Sequence, residues 1–543
     1  MENMKKQNRK KAGILRGRDG ITLLALIVTI IVLLVLAGVS IAVLTGENGI
    51  INNAIVAKRA TEKAAIDEQL KLAIMASYGT NGKINLNRLN NEISSVGGEV
   101  SGTEFPVTVV KNKVALVVEE SGETVDIDKT KVENLPDSWK PAYSSNYKND
   151  WYAYKDNAGN IAHVNAPKLA DGMTAIKYVA GSDTATYETV TTGSKWANAM
   201  TKDGSMWVWI PRYAYKITNG YHKSGQDLNS TDKTKGAGTI EIAFLDKNNN
   251  FLDSSLSGQT VKTSGITDSD YGASGSWILA PGFEFGDEHL DGFWFAKFEA
   301  SNTDGYGDNS STANNTALTL QIKPNVTSWR SITSENIFTV CRNLENSTTY
   351  FNSSTNVDTH MTKNVEWGAV AYLAHSKYGL NGQEEIYINN NNGYKTGISG
   401  TTATASSSSD SSNTYNTTVG INASTTKNVY GIYDMSGGAY EYVAACLTGY
   451  TNQLNSTADT KYIDVYSSYA ISKYGDAVYE TSNSSSGSNS WFSDYSDFVS
   501  GSRPVFVRDG DYTNVSNAGL FSFSYGGGIV YSECGFRPVC VVE

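Results

Sequence analysis

Between Ile21 and Leu44 the chain runs for about 24 residues without a charged side chain, and a helix of that length, at about 1.5 Å per residue, crosses a hydrocarbon core of about 30 Å. Ahead of the run stand Lys5, Lys6, Arg9, Lys10, Lys11, Arg16 and Arg18. The positive-inside bias keeps those residues in the cytoplasm and sends everything after Leu44 outward. The expectation is an exported protein held to the cell membrane by one helix, with its C-terminal part at the cell surface.

The chain beyond Leu44 is long enough for two or three domains, since 40% of the 543 residues are hydrophobic and 11% aromatic, enough to fill real cores. Removing residues 1–20 would take away seven bases and two acids, Glu2 and Asp19, moving the formal charge from −11 to −16. So acidic a chain is a poor partner for nucleic acid. Four cysteines, Cys341, Cys446, Cys534 and Cys540, are too few for a disulfide-built scaffold. Cys534 and Cys540 fall in what reads as one strand, about 20 Å apart and out of disulfide reach. The cysteines are expected to be structural, their pairing open.

The leader and the residues Asp19-Gly20-Ile21-Thr22-Leu23-Leu24 resemble the class III signal of type IV prepilins and pseudopilins. That resemblance implies cleavage between Gly20 and Ile21 by a prepilin peptidase, retention of the helix, and other pilin subunits as partners. A secretory signal would have a shorter apolar core and a small-residue site after it. The fifth mature position, usually Glu in that family, is Ala25. Such a carboxylate is thought to neutralise a neighbour's amino terminus in an apolar setting, where an unpaired charge is costly. Its absence favours a minor or tip subunit over a repeating one. A plain membrane anchor is the alternative.

Thr45-Gly46-Glu47-Asn48-Gly49 reads as a break, after which Ile51, Ala54, Ile55, Ile66, Leu70, Ala73 and Ile74 recur at helical spacing to about Met75. Alternation over Val107 to Val110, Val114 to Val118 and Thr124 to Ile127 predicts antiparallel strands. Residues 45–135 thus make a helix with a small sheet, the pilin-like head. A linker over 136–149 comes next, marked by Pro136 and Pro141 with Ser144, Ser145 and Asn146.

From about Asp150 to Glu543 the chain is rich in Trp, Tyr, Gly, Asn and Ser with no long helical period, which suggests short strands and few helices. Asp304 to Ala317 and Thr401 to Thr418 have little to bury and read as exposed loops. Five words occur in order: Met206-Trp207-Val208-Trp209-Ile210-Pro211-Arg212, Gly292-Phe293-Trp294-Phe295-Ala296-Lys297-Phe298-Glu299, Lys363-Asn364-Val365-Glu366-Trp367, the stretch Val429 to Val443 with Asp434-Met435-Ser436-Gly437-Gly438-Ala439-Tyr440-Glu441-Tyr442, and Cys534-Gly535-Phe536-Arg537-Pro538-Val539. Together they resemble the formylglycine-generating-enzyme superfamily, whose fold is a variant of the C-type lectin fold. The resemblance spans residues 150–543, with insertions near 220–270 and 380–425. The implied fold class is α+β: a long N-terminal pilin-like helix with a small antiparallel sheet, then an irregular lectin-like domain. Read as scaffold, Gly437-Gly438 makes a tight turn, Tyr440, Tyr442 and Val443 pack inward, Glu441 meets a buried arginine, Arg537 is an ion-pair partner, and Trp207, Trp209, Trp294 and Trp367 are core.

Catalysis in the enzymes resembled depends on a copper-binding cysteine pair close after an Arg-Gly-Gly-like turn. Here that turn is Arg508-Asp509-Gly510, and Asp511 to Phe523 holds no cysteine; Ser, Asn and Asp cannot replace the soft thiolate. Related iron enzymes need a histidine cluster, whereas His163, His222, His289, His360 and His375 are scattered. No catalytic residue, metal ligand or cofactor is assigned; calcium stays admissible through acids such as Asp434, though no EF-hand loop exists.

Binding is then the expected role, and Arg508 to Tyr531 the suggestive stretch. Ala518, Leu520, Phe521 and Phe523 anchor it, leaving Asp511, Tyr512, Asn514, Ser516, Ser522, Ser524, Tyr525, Tyr531, Ser532 and Glu533 to face a ligand. Tyrosine offers contact area at low entropy cost, and Ser and Asn offer adaptable hydrogen bonds. A lectin-like domain carrying such a segment at its C-terminus is similar to the target proteins of diversity-generating retroelements, which implies a diversified surface; the alternative is an invariant loop. The reading is a non-enzymatic, pilin-like adhesin or receptor-binding protein with an extracellular protein or glycan as ligand. The competing readings are an extracytoplasmic oxidoreductase of the resembled kind using Cys534, Cys540 or Cys446, and a purely structural pseudopilin.

Overall fold

The computed structural model describes residues 65–127, 139–141, 154–155, 161–162, 167–178 and 196–542, with short internal breaks of which the longest is 223–236. The expected leader, the cleavage site at Gly20 and Ile21, the apolar run 21–44 and Ala25 all lie outside the described residues. Among the described residues no helix is long and apolar enough to cross a membrane.

The first unit is built as its periodicity dictates. Helix α1 (65–76) turns Leu70, Ala73 and Ile74 inward. Helix α2 (Leu86–Ser95) is started by Asn85, whose side chain accepts the amide of Arg88 at 3.0 Å, satisfying one of the orphan donors of a first turn. It buries Leu89 and Ile93. Four strands complete the unit: β1 (Glu99–Ser101), β2 (Val107–Lys111), β3 (Val114–Val118) and β4 (Thr124–Ile127), in antiparallel order β1-β2-β3-β4. Val107, Val109, Leu116 and Val118 alternate onto the helices, one face of a pleated sheet.

The larger unit has its own core. Its sheet-building strands are, in chain order, β5 (Trp139–Pro141), β6 (Thr174–Tyr178), β7 (Asn198–Met200), β8 (Met206–Pro211), β9 (Tyr213–Asn219), β10 (Thr239–Phe244), β11 (Val261–Lys262), β12 (Trp277–Leu279) and β13 (Gly292–Ala296). After helix α3 (Ser334–Asn343) come β14 (Val357–Met361) and helix α4 (Asn364–His375). The C-terminal part adds β15 (Tyr440–Leu447), β16 (Asp464–Tyr466), β17 (Ser486–Gly487), β18 (Ser496–Asp497), β19 (Val505–Arg508), β20 (Phe523–Gly526), β21 (Cys534–Gly535) and β22 (Pro538–Val542). One sheet runs β14-β22-β13-β8-β7-β6-β5, a second β10-β9-β12-β11, and a third β16-β15-β19-β20-β18-β17, with β21 beside β15. The chain is thus mixed α+β, with sheets dominant and helices few.

Strands β8 and β13 are buried along their whole length, which is why they read as continuous apolar words rather than alternating ones. Trp209 and Trp294 sit opposite each other with ring centroids 5.4 Å apart, and Trp207 and Trp367 are fully enclosed. Helix α4 opens on the expected Lys363-Asn364-Val365-Glu366-Trp367 word. Glu366 accepts the Lys363 amide at 2.8 Å, and all residues from Asn364 to His375 are buried. The insertion near 220–270 supplies β10 and β11 to the second sheet. The loops expected over 304–317 and 401–418 are mainly exposed, tied down by buried Ala313 and Tyr415.

Two readings change. Within the expected linker 136–149, Trp139–Pro141 forms the edge strand β5 against β6, a position that tolerates proline because its outer side needs no donor. Cys534 and Cys540 do not share a strand: Cys534 lies in β21 of the third sheet and Cys540 in β22 of the first, because the chain changes sheet across Phe536 and Arg537. All four cysteines are free and buried.

Candidate functional site

The site is hung from a buried ion pair. Gly437 and Gly438 adopt φ of 74° and 79°, and a Cβ on Gly437 would stand 2.4 Å from the Asn389 carbonyl oxygen, so the turn admits no side chain. It delivers β15 with Glu441 pointing inward to Arg537, whose Nε donates to both carboxylate oxygens at 2.9 and 2.7 Å. The guanidinium also donates to the carbonyls of Ala296 at 3.1 Å, Tyr433 at 3.2 Å and Asp434 at 2.7 Å.

Three more buried acids surround the pair. Asp434, read from the sequence as a surface acid that leaves calcium admissible, is 1% exposed, its oxygens taken by Asn389 and the Gly397 amide, so it is a buried structural acceptor. Glu299 accepts the Ala439 amide at 2.8 Å, and Asp509 those of Gly437 at 3.0 Å and Gly510 at 2.6 Å. Burial first, and then the neighbouring carboxylates, push the Glu299 and Asp509 carboxyls well up, which favours their neutral forms. Glu299, Glu441 and Asp509 each offer an oxygen within 4.8 Å of the others, the grouping among the described residues whose donors a cation could share.

Next to this scaffold, β19 and β20 pair as a hairpin with Phe506 opposite Tyr525 and Val507 opposite Ser524. Arg508 is fully buried and donates to the carbonyls of Asp476 at 2.9 Å and Ala477 at 3.0 Å. The expected anchors Ala518, Leu520, Phe521 and Phe523 are all buried. Above them opens a cavity of about 570 Å³, walled by Tyr440, Tyr495, Tyr525 and Tyr531, with Asn514, Asn517, Ser524, Arg503, Glu533 and Cys534 on its lining. The Arg503 guanidinium lies 5.0 Å from the Tyr525 ring centroid. Burial pushes the Cys534 thiol well up, which keeps it protonated and a weak nucleophile.

Of the ten residues singled out from sequence, Asn514, Ser524, Tyr525, Tyr531 and Glu533 meet at this cavity. Tyr512 packs edge-on against Tyr394 at 4.8 Å, whose ring is capped by Arg330 at 3.6 Å. Ser532 is exposed and its carbonyl accepts from Arg330, while Ser516 is half-buried on a 3₁₀ turn. Two do not face solvent. Asp511 is 4% exposed because it caps its own turn, accepting the Thr513 amide at 3.0 Å, and Ser522 is 1% exposed because it donates to the Asp509 carbonyl at 3.0 Å. Tyr440, expected to pack inward, lines the cavity; strand alternation puts it on the face opposite Glu441. Beyond the rim, Ile529 is 55% exposed on the loop that Tyr442 holds through a hydrogen bond to the Ile529 carbonyl at 3.0 Å.

None of the four described histidines lines this cavity. His289 is exposed beside Glu284. His360 is buried between Asp358 and Glu366, and His375 sits at 2.7 Å from the Gly238 carbonyl. His222 is half-buried, and His163 lies outside the described residues. Among the described residues no histidine joins a group of three metal-ligand candidates.

No family model matches the chain, and no curated protein does. Among solved structures it is similar to one titled Major Tropism Determinant I1 Variant, at 11% identity over 81% of this chain and 82% of that one, with a TM-score of 0.24. A superposition that loose carries no argument about fold or function.

Proposed function

We propose that the chain is a non-catalytic, surface-displayed binding protein whose lectin-like domain takes an extracellular protein or glycan in the tyrosine-walled cavity. The single observation behind this reading is the composition of that cavity. Four tyrosines contributed by separate segments converge with amide and hydroxyl side chains, one arginine and one carboxylate. Tyrosines present large, stiff, amphipathic surfaces, and a lining with both signs of charge suits a mainly neutral polar ligand. A pilin-like N-terminal helix would display many copies, so a weak single contact suffices for adhesion. The segment from Arg508 to Arg537 supplies eight of the twelve lining residues, so diversification of its exposed positions would alter most of the lining.

The test uses full-length chain screened against immobilised glycans and extracellular proteins. A saturable partner is expected, and Tyr525→Ser with Tyr531→Ser should weaken it about 30-fold, the loss of roughly 2 kcal/mol that interface aromatics carry, at an unchanged unfolding midpoint. A partner whose affinity ignores both substitutions would place recognition elsewhere. In the same preparation, mass spectrometry should find a mature amino terminus at Ile21; an uncleaved leader would rule out the prepilin route.

A further inference from the structure

A second cavity, of about 370 Å³, shares no lining residue with the first. It opens between the start of α4, the 3₁₀ turn Thr460–Tyr462 and the Pro281 turn, and Lys363, Lys461 and Lys473 all line it. In a chain with formal charge −11, three ammonium groups on one cavity run against the overall balance.

Their partners do not account for them. Lys363 approaches Glu366 only to 3.7 Å, Lys461 approaches Asp358 to 3.4 Å, and Lys473 approaches Asp464 to 3.9 Å. These separations exceed the 2.7–2.9 Å or so of a charge-assisted hydrogen bond. Each of the carboxylates is engaged more closely elsewhere. Glu366 is bonded to His360 at 2.8 Å, Asp358 to Arg342 at 2.8 Å and to Tyr462 at 2.6 Å, and Asp464 to the Val365 amide at 3.0 Å. The remaining acid on the wall, Glu284, is held by Arg212 and His289 at 2.6 Å each. Lys363 is only 4% exposed. What remains accessible of Lys363 faces the cavity that it lines, and an ammonium at ion-pair but not hydrogen-bond range keeps donors for a closer acceptor. The Phe285 ring lies 5.2 Å from the Lys363 ammonium and 4.5 Å from that of Lys461, and so flanks both.

We infer that this cavity binds a tetrahedral oxyanion group, sulfate or phosphate, between the three lysines. An anion there replaces three long ion pairs by short, charge-assisted hydrogen bonds, and the acids already committed to other donors need not move. The group could arrive as a free ion or as an ester on a saccharide. The site is independent of the tyrosine-walled cavity and of the reading built on it.

Full-length chain titrated at constant ionic strength with sodium sulfate, with sodium phosphate and with a sulfated disaccharide tests the inference. Saturable binding is expected. Lys461→Met with Lys473→Met should weaken it at least about tenfold without moving the unfolding midpoint, because both lysine side chains are partly exposed. Lys363→Met, in the wall itself, should abolish binding in whatever fraction folds. A disaccharide that binds more tightly than the inorganic ions assigns the ester as ligand, and equal affinity assigns the free ion. No saturable binding by any of the three up to about 10 mM, or binding unchanged in the double variant, would overturn it.

Discussion

Replacing Arg537 by methionine is expected to lower the unfolding free energy by about 3–5 kcal/mol, the usual cost of removing one partner of a buried ion pair. The side chain is fully enclosed and ties together β13 through the Ala296 carbonyl, the turn through Tyr433 and Asp434, and β15 through Glu441. Methionine fills much of the volume but leaves those carbonyls and one carboxylate without donors. Burial lifts the Glu441 carboxyl above its ordinary range, against the pull of Arg537; burial works to lower the Arg537 guanidinium, yet Glu441 outweighs it and raises it. The two directions conflict over whether the pair is ionised, and the two-oxygen geometry decides for the ionised form. Glu441→Gln keeps an acceptor but leaves the buried guanidinium without its counter-charge, so it should cost a similar amount, about 3–5 kcal/mol. Urea unfolding of both single variants and the double variant measures the coupling. Purely additive losses would mean that the pair is not what holds the turn to the strands.

The parts of this molecule that could be read from its sequence are those in which one face is buried and the other wet. Leu70, Ala73 and Ile74 announced α1, and the alternating valines announced β2 and β3, because a half-buried element stamps its period on the chain. Helix α4 carries no such stamp: every residue from Asn364 to His375 is buried, so polar and apolar positions do not segregate, and only its opening word marked it. Helix α2 was missed for the opposite reason. Within an asparagine-rich stretch just two of its residues, Leu89 and Ile93, are buried, and asparagine favours turns over helix interiors. In the cavity, the residues contributed by the contiguous C-terminal stretch were legible, whereas Tyr440, Tyr495 and Arg503 arrive from elsewhere through the pairing of β15, β19, β20 and β18. The signal that could have found Tyr440 is its place one residue before Glu441: a strand that turns its acid to a buried arginine must turn its neighbours the other way.

Glu480→Gln should change how stability depends on pH. Glu480 is enclosed by the phenol groups of Tyr215 at 2.7 Å, Tyr372 at 2.6 Å and Tyr271, and also accepts the Gly475 amide, joining β9 to α4. Burial pushes its carboxyl up from 4.5 to about 7, although the three phenols pull the other way. A carboxyl that holds its proton more tightly folded than unfolded stabilises fully below pH 4.5, and that contribution fades as the pH rises through about 7. The difference is about 3 kcal/mol. His375 runs the opposite way. Burial lowers it from 6.5 to about 4, so its contribution is complete above pH 6.5 and fades as the pH falls toward 4. The two nearly cancel in the wild-type curve, and the comparison with Glu480→Gln separates them. The wild type should lose about 3 kcal/mol relative to the glutamine variant between pH 4 and pH 8, read from urea midpoints across that range. A difference that stays flat would mean that Glu480 titrates alike in the folded and unfolded chain, the three phenols offsetting its burial.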